Sequence, residues 1–461
     1  MLRISAAVLA VAAVLSVQAA RRPVSLVISG GIVVTVDPAG RVLSPGAIAI
    51  DGRDIVGIDT PAAIAARFEA KETVDAAGQV VMPGLVNTHT HAAMVLYRGL
   101  ADDLALMDWL QKYIFPAEAK TVTPEFVRAG TRLAALEMIQ SGTTTYADMY
   151  YFEEEVARVT KEAGLRAVLG QTIIKFPVAD AKTPADALAR AATFIDRFAG
   201  DDLIVPALAP HAMYTLETAT LKAVRALADR KHAPVLIHLA ETADEVKNSV
   251  REHGASPAKY LDAIGFWGPR TVAAHAVWLT PGDIALLASR GVGVSHNPES
   301  NMKLASGAAK VVALQTAGVR VGLGTDGAAS NNDLDMFEAM RQAAFLAKLQ
   351  TMDPRALPAR SAIEMATIDG ARVLGLDAQT GSLEPGKRAD IIIVSLAAAR
   401  QVPMYDPLSH LVYVTRGDDV RTTIVNGRVL MRDRKVQTLP EAEVLADARA
   451  LAARVRKAVN K

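Results

Sequence analysis

The chain has 461 residues, with 50 Lys plus Arg against 49 Asp plus Glu, nine His and no Cys. At 51% hydrophobic and 21% charged it is neither disordered nor fibrous, and its length allows roughly three domains around a sizeable core. A net charge of +1 gives no general attraction for a phosphate backbone, so nucleic acid is not an expected partner, and without thiols any metal must rest on imidazole and carboxylate.

Arg3 precedes the apolar run ISAAVLAVAAVLSV, and Gln18, Ala19 and Ala20 supply the small-residue pattern of a cleavage site. Residues 1–20 are therefore expected to be a cleaved signal peptide, with the mature start near Ala20 or Arg21. The other readings are a membrane anchor or a mis-assigned start. The run is short for a spanning helix, and no other segment offers ~20 uninterrupted apolar residues. Export implies a periplasmic or secreted protein with no stable membrane partner after cleavage; a mis-assigned start implies a cytoplasmic one.

From Val24, the segments VSLVISGGIVVTVD, GAIAIDGRDIVGID and ETVDAAGQVVMPG read as short strands with Gly and Asp turns. The same texture returns in ADIIIVSL and VRTTIVNGRVLMRDRKVQ. The simplest arrangement is one β-sandwich built from both chain ends, residues 21–80 with 385–437. Between 81 and 384, helical stretches such as EFVRAGTRLAALEMIQ alternate with eight strand candidates: VVMPGLVNTH, TTTYADM, RAVLGQT, LIVPALAPH, APVLIHLAE, TVAAHAVWL, GVGVSHNP and VRVGLGTDG. Eight such units favour an α/β fold with a (β/α)8 barrel over an open doubly wound sheet. The end, 438–461, holds an amphipathic helix expected on the exterior.

His and acidic residues recur at the C-terminal ends of these strands: His89, His91, Asp148, His211, His238 with Glu241, His275, His296 and Asp326. In a barrel those ends converge on one mouth. His89-Thr90-His91 ends the first strand, and the period of two points both imidazoles to one side. With His238 and Asp326 they form a nitrogen and oxygen set suited to Zn, with Fe or Mn as substitutes. Such an ion brings the pKa of a coordinated water towards neutrality, so the expected chemistry is hydrolytic. Glu241, three residues beyond His238, is placed for general acid-base work, against the reading of a solvated Glu at a helix start. His275 is either a further ligand or the group that orients the water; the orienting role is preferred. Asp326 either binds metal or takes a proton, and the glycines of GLGTDGAASNN permit close backbone approach around it. His296-Asn297-Pro298 shapes the mouth or is a structural turn.

PGLVNTHTHAAM, RGLADDLALMDWL, SGTTTYADMY, APHAMYT, HLAET, VAAHAVWL, SHNPESNMKLASG and GTDGAASNNDLDMF together resemble the amidohydrolase superfamily, specifically its 5'-methylthioadenosine/S-adenosylhomocysteine deaminases. The resemblance covers nearly the whole chain after the leader and implies the same sandwich-plus-barrel architecture. It implies that His89, His91, His238 and Asp326 hold one divalent metal, that Glu241 shuttles protons and contacts the purine, and that His275 assists the water. It also implies that His211 contacts a purine nitrogen and that Glu118, in PAE, accepts from the ribose hydroxyls, as a carboxylate can for a cis-diol. Read without the resemblance, Glu118 is a solvated helix end. Trp109 is either a flat apolar cover for the substrate or ordinary packing.

The implied reaction is water attack at adenine C6 and loss of ammonia from a purine nucleoside. Two departures bear on the substrate. HNP stands where related sequences often carry HCP, and no Arg pair is available for a homocysteine carboxylate, with Arg166 early in its strand and Lys175 the only substitute. Methylthioadenosine or adenosine is therefore favoured over S-adenosylhomocysteine. The competing readings are a hydrolase of guanine, a pterin or a triazine, an amide hydrolase, and a non-enzymatic binding protein. A homo-oligomer is compatible with the sequence.

Overall fold

The computed structural model describes residues 20–459; the expected leader lies outside the described residues apart from Ala20. The N-terminal segment forms β1 (Arg22–Val34), β2 (Val42–Asp51), β3 (Asp54–Asp59), β4 (Phe68–Asp75) and β5 (Gln79–Pro83). The barrel strands are β6 (Leu85–Thr90), β7 (Thr143–Tyr150), β8 (Arg166–Ile173), β9 (Ile204–Pro210), β10 (Val235–Leu239), β11 (Thr271–His275), β12 (Gly293–His296) and β13 (Val321–Leu323). The chain then returns to the first layer as β14 (Ile391–Ser395), β15 (Val420–Val425), β16 (Arg428–Arg432) and β17 (Lys435–Val436).

The β layer assembled from both chain ends is one mixed sheet, in the order β17-β16-β15-β14-β5-β1-β2-β3, with β4 also paired to β1. Its two halves meet where β5 pairs antiparallel with β14, Pro83 opposite Ile391 and Gln79 opposite Ser395. Alternate residues of these strands, among them Ile28, Ile48, Ile50, Val81, Ile391 and Ile393, bury a shared apolar core.

VVMPGLVNTH, expected as the first barrel strand, is divided. Its first half belongs to β5 and its second is β6. The break falls at Gly84, whose N–H bonds to Asp390 O while the next N–H, of Leu85, bonds to Gly142 O. A side chain cannot sit there, because a Cβ would lie 2.1 Å from Thr144 Cγ2.

Strands β6 to β13 run parallel in chain order and are buried almost throughout, as strands covered by helices on their outer face must be. Several outer helices open the same way. Thr123, Thr183 and Thr280 each accept a main-chain N–H of the first turn and are followed by Pro at its start. The C-terminal helix, Glu441–Val459, buries Val444, Ala448, Leu451 and Val455 and packs on the helices Pro124–Ser141 and Phe115–Thr121, as an exterior amphipathic helix does. Among the described residues no helix is long and apolar enough to cross a membrane.

The ring is joined between β13 and β6 largely through side chains. Asn87 Nδ2 donates to Thr325 Oγ1 at 2.7 Å, and the Thr325 N–H donates back to Asn87 Oδ1 at 3.1 Å. Thr88 Oγ1 donates to Leu323 O at 2.9 Å, and the Asp326 N–H reaches His89 O at 3.0 Å. Asn87→Ala leaves the buried Thr325 N–H without a partner. It is expected to lower unfolding free energy by roughly 1–3 kcal/mol and to speed metal loss to a chelator. Urea melts and timed chelation check this; an unchanged midpoint and unchanged metal retention would refute a bracing role for Asn87.

Candidate active site

Four strand ends deliver the polar cluster. His89 lies at the end of β6 and His91 directly follows it, His238 lies on β10, His275 ends β11, and Asp326 follows β13. Single ligand atoms of His89, His91 and Asp326 lie within 4.8 Å of one another, and so do those of His89, His238 and His275. Asp326 Oδ1 stands 3.3 Å from both His89 Nε2 and His91 Nε2.

The imidazoles are oriented by the main chain. His91 Nδ1–H donates to Met149 O and His238 Nδ1–H donates to His211 O, each at 2.6 Å. Their Nε2 atoms, which then carry lone pairs, face each other at 3.3 Å. Two facing lone pairs repel unless a cation lies between them. His89 Nε2 is buried and makes no hydrogen bond. Burial holds the His89 imidazole down to about 4, and burial with the nearby imidazoles holds His238 well below its ordinary value, so both are neutral at physiological pH. Neutral imidazole nitrogens of His89 and His238 clustered with His91 and the Asp326 carboxylate fit a divalent ion of the zinc kind.

Sequence reasoning did not assign the groups that hold this cluster in place. Asp326 Oδ2 accepts from Ser300 Oγ at 2.7 Å and Ser330 Oγ at 3.1 Å, while Oδ1 accepts the Gly327 N–H at 2.8 Å. His275 Nδ1–H donates to Asn301 Oδ1 at 2.9 Å, which turns its Nε2 towards Glu241 Oε2, 3.8 Å away. Ser306 Oγ donates to Glu241 Oε1 at 3.3 Å, and Glu245 accepts the N–H groups of Ala240 and Glu241. Ser300, Asn301 and Ser306 all lie in SHNPESNMKLASG, a motif recognised whole but not parsed. Three of the turns are strained: Ala240, His275 and Asp326 have φ of 48°, 72° and 62°, in the left-handed region that non-glycine residues avoid.

The cluster opens into a narrow cleft with an apolar wall. His91, His211, His238, Glu241, His275 and Asp326 line one part of it, and Leu106, Trp109, Leu110, Ile114 and Glu118 line another. Glu118 is only 8% exposed, which excludes the solvated helix end. Its carboxylate accepts from Tyr150 Oη at 2.8 Å and Tyr151 Oη at 3.5 Å, and burial raises it to about 7 against those two hydrogen bonds. His211 sits with its ring 4.8 Å from that of His238, and burial with the nearby imidazoles keeps it down to about 3. Burial raises the Glu241 carboxyl above its ordinary value, although His275 pulls the other way.

Two members of the expected cluster do not join it. Asp148 turns back into the fold, where Oδ1 accepts from Thr90 Oγ1 at 2.8 Å and from the Ala92 N–H at 2.6 Å. It shapes the His91 turn and does not line the cleft. His296 is buried behind the site and also stays out of the cleft. A strand-end position determines which residues come near the mouth; the side-chain direction within that turn decides which of them enter it.

The sequence matches the model of the amidohydrolase family over residues 80–430. The chain belongs to the amidohydrolase family. Within the family it is 47% identical to a 5-methylthioadenosine/S-adenosylhomocysteine deaminase of Syntrophobacter fumaroxidans, covering 94% of this chain and 98% of that one. It is 46% identical to a 5'-deoxyadenosine deaminase of Methanosarcina barkeri, over 94% of this chain and 99% of the relative. Among solved structures, an adenosine deaminase from Xanthomonas campestris with bound zinc superposes with a TM-score of 0.94 at 43% identity, over 95% of this chain and all of the other. The resemblance read from the motifs is correct at family level.

Asn301→Leu removes the acceptor that orients His275 without touching the ligand set. Turnover should fall about 10- to 100-fold, with metal content and melting temperature close to wild type. Full turnover in a metal-replete variant would show that His275 needs no such partner.

Proposed function

We propose that the protein is a metal-dependent aminohydrolase that converts an adenosine-type nucleoside bearing an uncharged 5' substituent into its 6-oxo product and ammonia. Methylthioadenosine, 5'-deoxyadenosine and adenosine fit this description. The observation that carries the reading is the buried Glu118 carboxylate, set in an apolar wall of the same cleft as the imidazole cluster. The relatives' activities support an adenosine-type substrate; the 5'-deoxyadenosine deaminase agrees with an uncharged 5' group, whereas the Syntrophobacter fumaroxidans relative is also named for S-adenosylhomocysteine, whose 5' group is charged.

His89, His91, His238 and Asp326 would hold the ion, which supplies Lewis-acid activation of water when bound. The chain's own groups account for the rest. Glu241, kept protonated to higher pH by burial, can give a proton to the ring nitrogen beside C6 as water adds there. The carbon becomes tetrahedral; the proton given up by the water, taken by Asp326, passes to the amino group, which leaves as ammonia while the hydroxyl proton returns to Glu241 and the 6-oxo group forms. His275, facing Glu241, is placed to orient the water and stabilise the negative charge that develops on it: burial lowers this imidazole, but the Glu241 and Asp326 carboxylates raise it above its ordinary value and favour its charged form. His211 and Trp109 would bound the purine, and Glu118 would accept from both ribose hydroxyls.

An uncharged 5' group is favoured because no Lys or Arg is among the described residues lining the cleft. Arg166 is fully buried and ion-paired to Asp390 at 3.0 Å, and Lys175, which is not among the lining residues, donates to Tyr214 O at 3.2 Å. A homocysteine carboxylate would lose its hydration without gaining a cationic partner.

Metal-loaded protein should release ammonia fastest from methylthioadenosine, 5'-deoxyadenosine or adenosine, and chelation should stop it. Activity confined to guanine, pterins or aminotriazines would overturn the assignment. Glu118→Gln should raise KM for ribosides about 10- to 100-fold, the value of a hydrogen bond to a charged group, and leave a free base nearly unaffected.

Glu118 also predicts two opposite pH trends. Riboside affinity should rise as pH increases through about 7, because the carboxylate is the accepting form, and this limb should vanish in Glu118→Gln. Stability runs the other way: the folded value lies above the ordinary 4.5, so the protonated group's contribution is full below 4.5 and is lost as pH rises through about 7. Parallel melts of wild type and Glu118→Gln from pH 4.5 to 8 read this difference directly.

Export through the residue 1–20 leader is proposed on its sequence pattern. A mature mass beginning near Ala20 or Arg21 supports it, and a retained Met1 counts against it.

A further inference from the structure

The apolar wall and Glu118 belong to one helical run from Leu106 to Thr121 with an unusually wide turn in its middle. Trp109–Ile114 is a π-helical turn between the segments Leu106–Asp108 and Phe115–Thr121. The Phe115 N–H reaches back five residues to Leu110 O, where an α-helix would reach back four. Pro116 supplies a local cause. It has no N–H for Lys112 O, and its ring crowds the carbonyl four residues earlier, so the α ladder cannot pass through this point.

The phase of the helix gives the wide turn a consequence. Leu106, Leu110, Ile114 and Glu118 recur at every fourth position and all line the cleft. Each four-residue step advances an α-helical side chain about 40° beyond a full turn, so in an unbroken α-helix Glu118 would stand about 120° round from Leu106. From Leu106 to Glu118 is twelve residue steps, whereas three α turns take about 10.8. The wide turn absorbs the surplus residue on its solvent side, where Gln111, Lys112 and Tyr113 are exposed.

We propose that Pro116 is a positioning residue for substrate: by holding the π turn open it keeps Glu118 in register with the apolar wall, and so sets the fit for nucleosides with an uncharged 5' group. The role rests on the nucleoside reading given above. Pro116 itself is not among the residues lining the cleft.

The test is a pair of variants measured for KM, kcat, metal content and melting temperature on methylthioadenosine, with free adenine as the control that lacks a ribose. Pro116→Ala permits the α ladder to continue. It should raise riboside KM about tenfold or more, as expected for a displaced charge-assisted hydrogen bond, while metal content and melting temperature are kept and the adenine rate is little changed. Deleting Gln111 in the Pro116→Ala background removes the surplus residue and leaves eleven steps, close to three α turns, so KM should return towards wild type. Unchanged riboside KM in folded Pro116→Ala overturns the proposal, as does a raised KM that the deletion makes worse. Should Pro116→Ala not fold, the double variant alone decides: near-wild-type KM supports the register argument, and a large loss refutes it. Failure of the nucleoside reading is distinguishable, because wild type would then release no ammonia from any riboside.

Discussion

The join between β13 and β6 is the constraint on which the rest depends. Asn87, Thr88 and the His89 carbonyl are held by Thr325, Leu323 and the Asp326 N–H, so segments more than 230 residues apart in sequence are fixed side by side. Asp326 Oδ1 thereby comes to 3.3 Å from two imidazole nitrogens of β6. An open sheet would leave these ligands on opposite edges. Closure of the ring is thus also the formation of the metal site, and Gly324 beside it has no room for a side chain, with Asn297 Oδ1 only 2.4 Å from where a Cβ would stand.

Once closed, the site is held against its own electrostatics. Four imidazoles and two carboxylates share a volume from which water is largely excluded, and each unpaired polar group there is costly. The main chain meets part of that cost by fixing His91 and His238 through carbonyls of neighbouring strands, so the direction of each ring is set by strand register. The left-handed turns at Ala240, His275 and Asp326 add strain of about 1–3 kcal/mol each, tolerated because the surrounding hydrogen bonds over-determine them. Such sites gain from preorganisation: the donors already point where charge develops, and little rearrangement is needed during reaction.

The second half of the cleft follows a different logic. Its wall is a helix backed by the C-terminal helix, whose Ala458 carbonyl accepts from Lys120 at 3.2 Å, two residues beyond Glu118. Apolar burial raises the Glu118 carboxyl, and Tyr150 and Tyr151 from the end of β7 hold it in place. The hydrolytic half and the binding half are carried by different elements but share the end of β7, where Met149 O orients His91 and the neighbouring Tyr150 holds Glu118.

Local pattern was enough for the eight strands, the two-ended β layer, the exterior final helix and the identity of the imidazole cluster, because alternation, turn residues and strand-end position are short-range properties of a chain. Only the family resemblance singled out Glu118; on local grounds that residue read as a solvated helix end, since burial depends on what packs over it. The division of VVMPGLVNTH at Gly84, the withdrawal of Asp148 and His296, and the supports given by Ser300, Asn301 and Ser306 were beyond local pattern. Each depends on contacts between segments distant in sequence, and a side chain's direction at a strand end is decided by the partner that meets it. Residue types and their order determined which chemistry this protein can do; only the closed barrel decided which of those residues face one another, because hydrogen-bond direction and burial are set by neighbours that the linear chain does not specify.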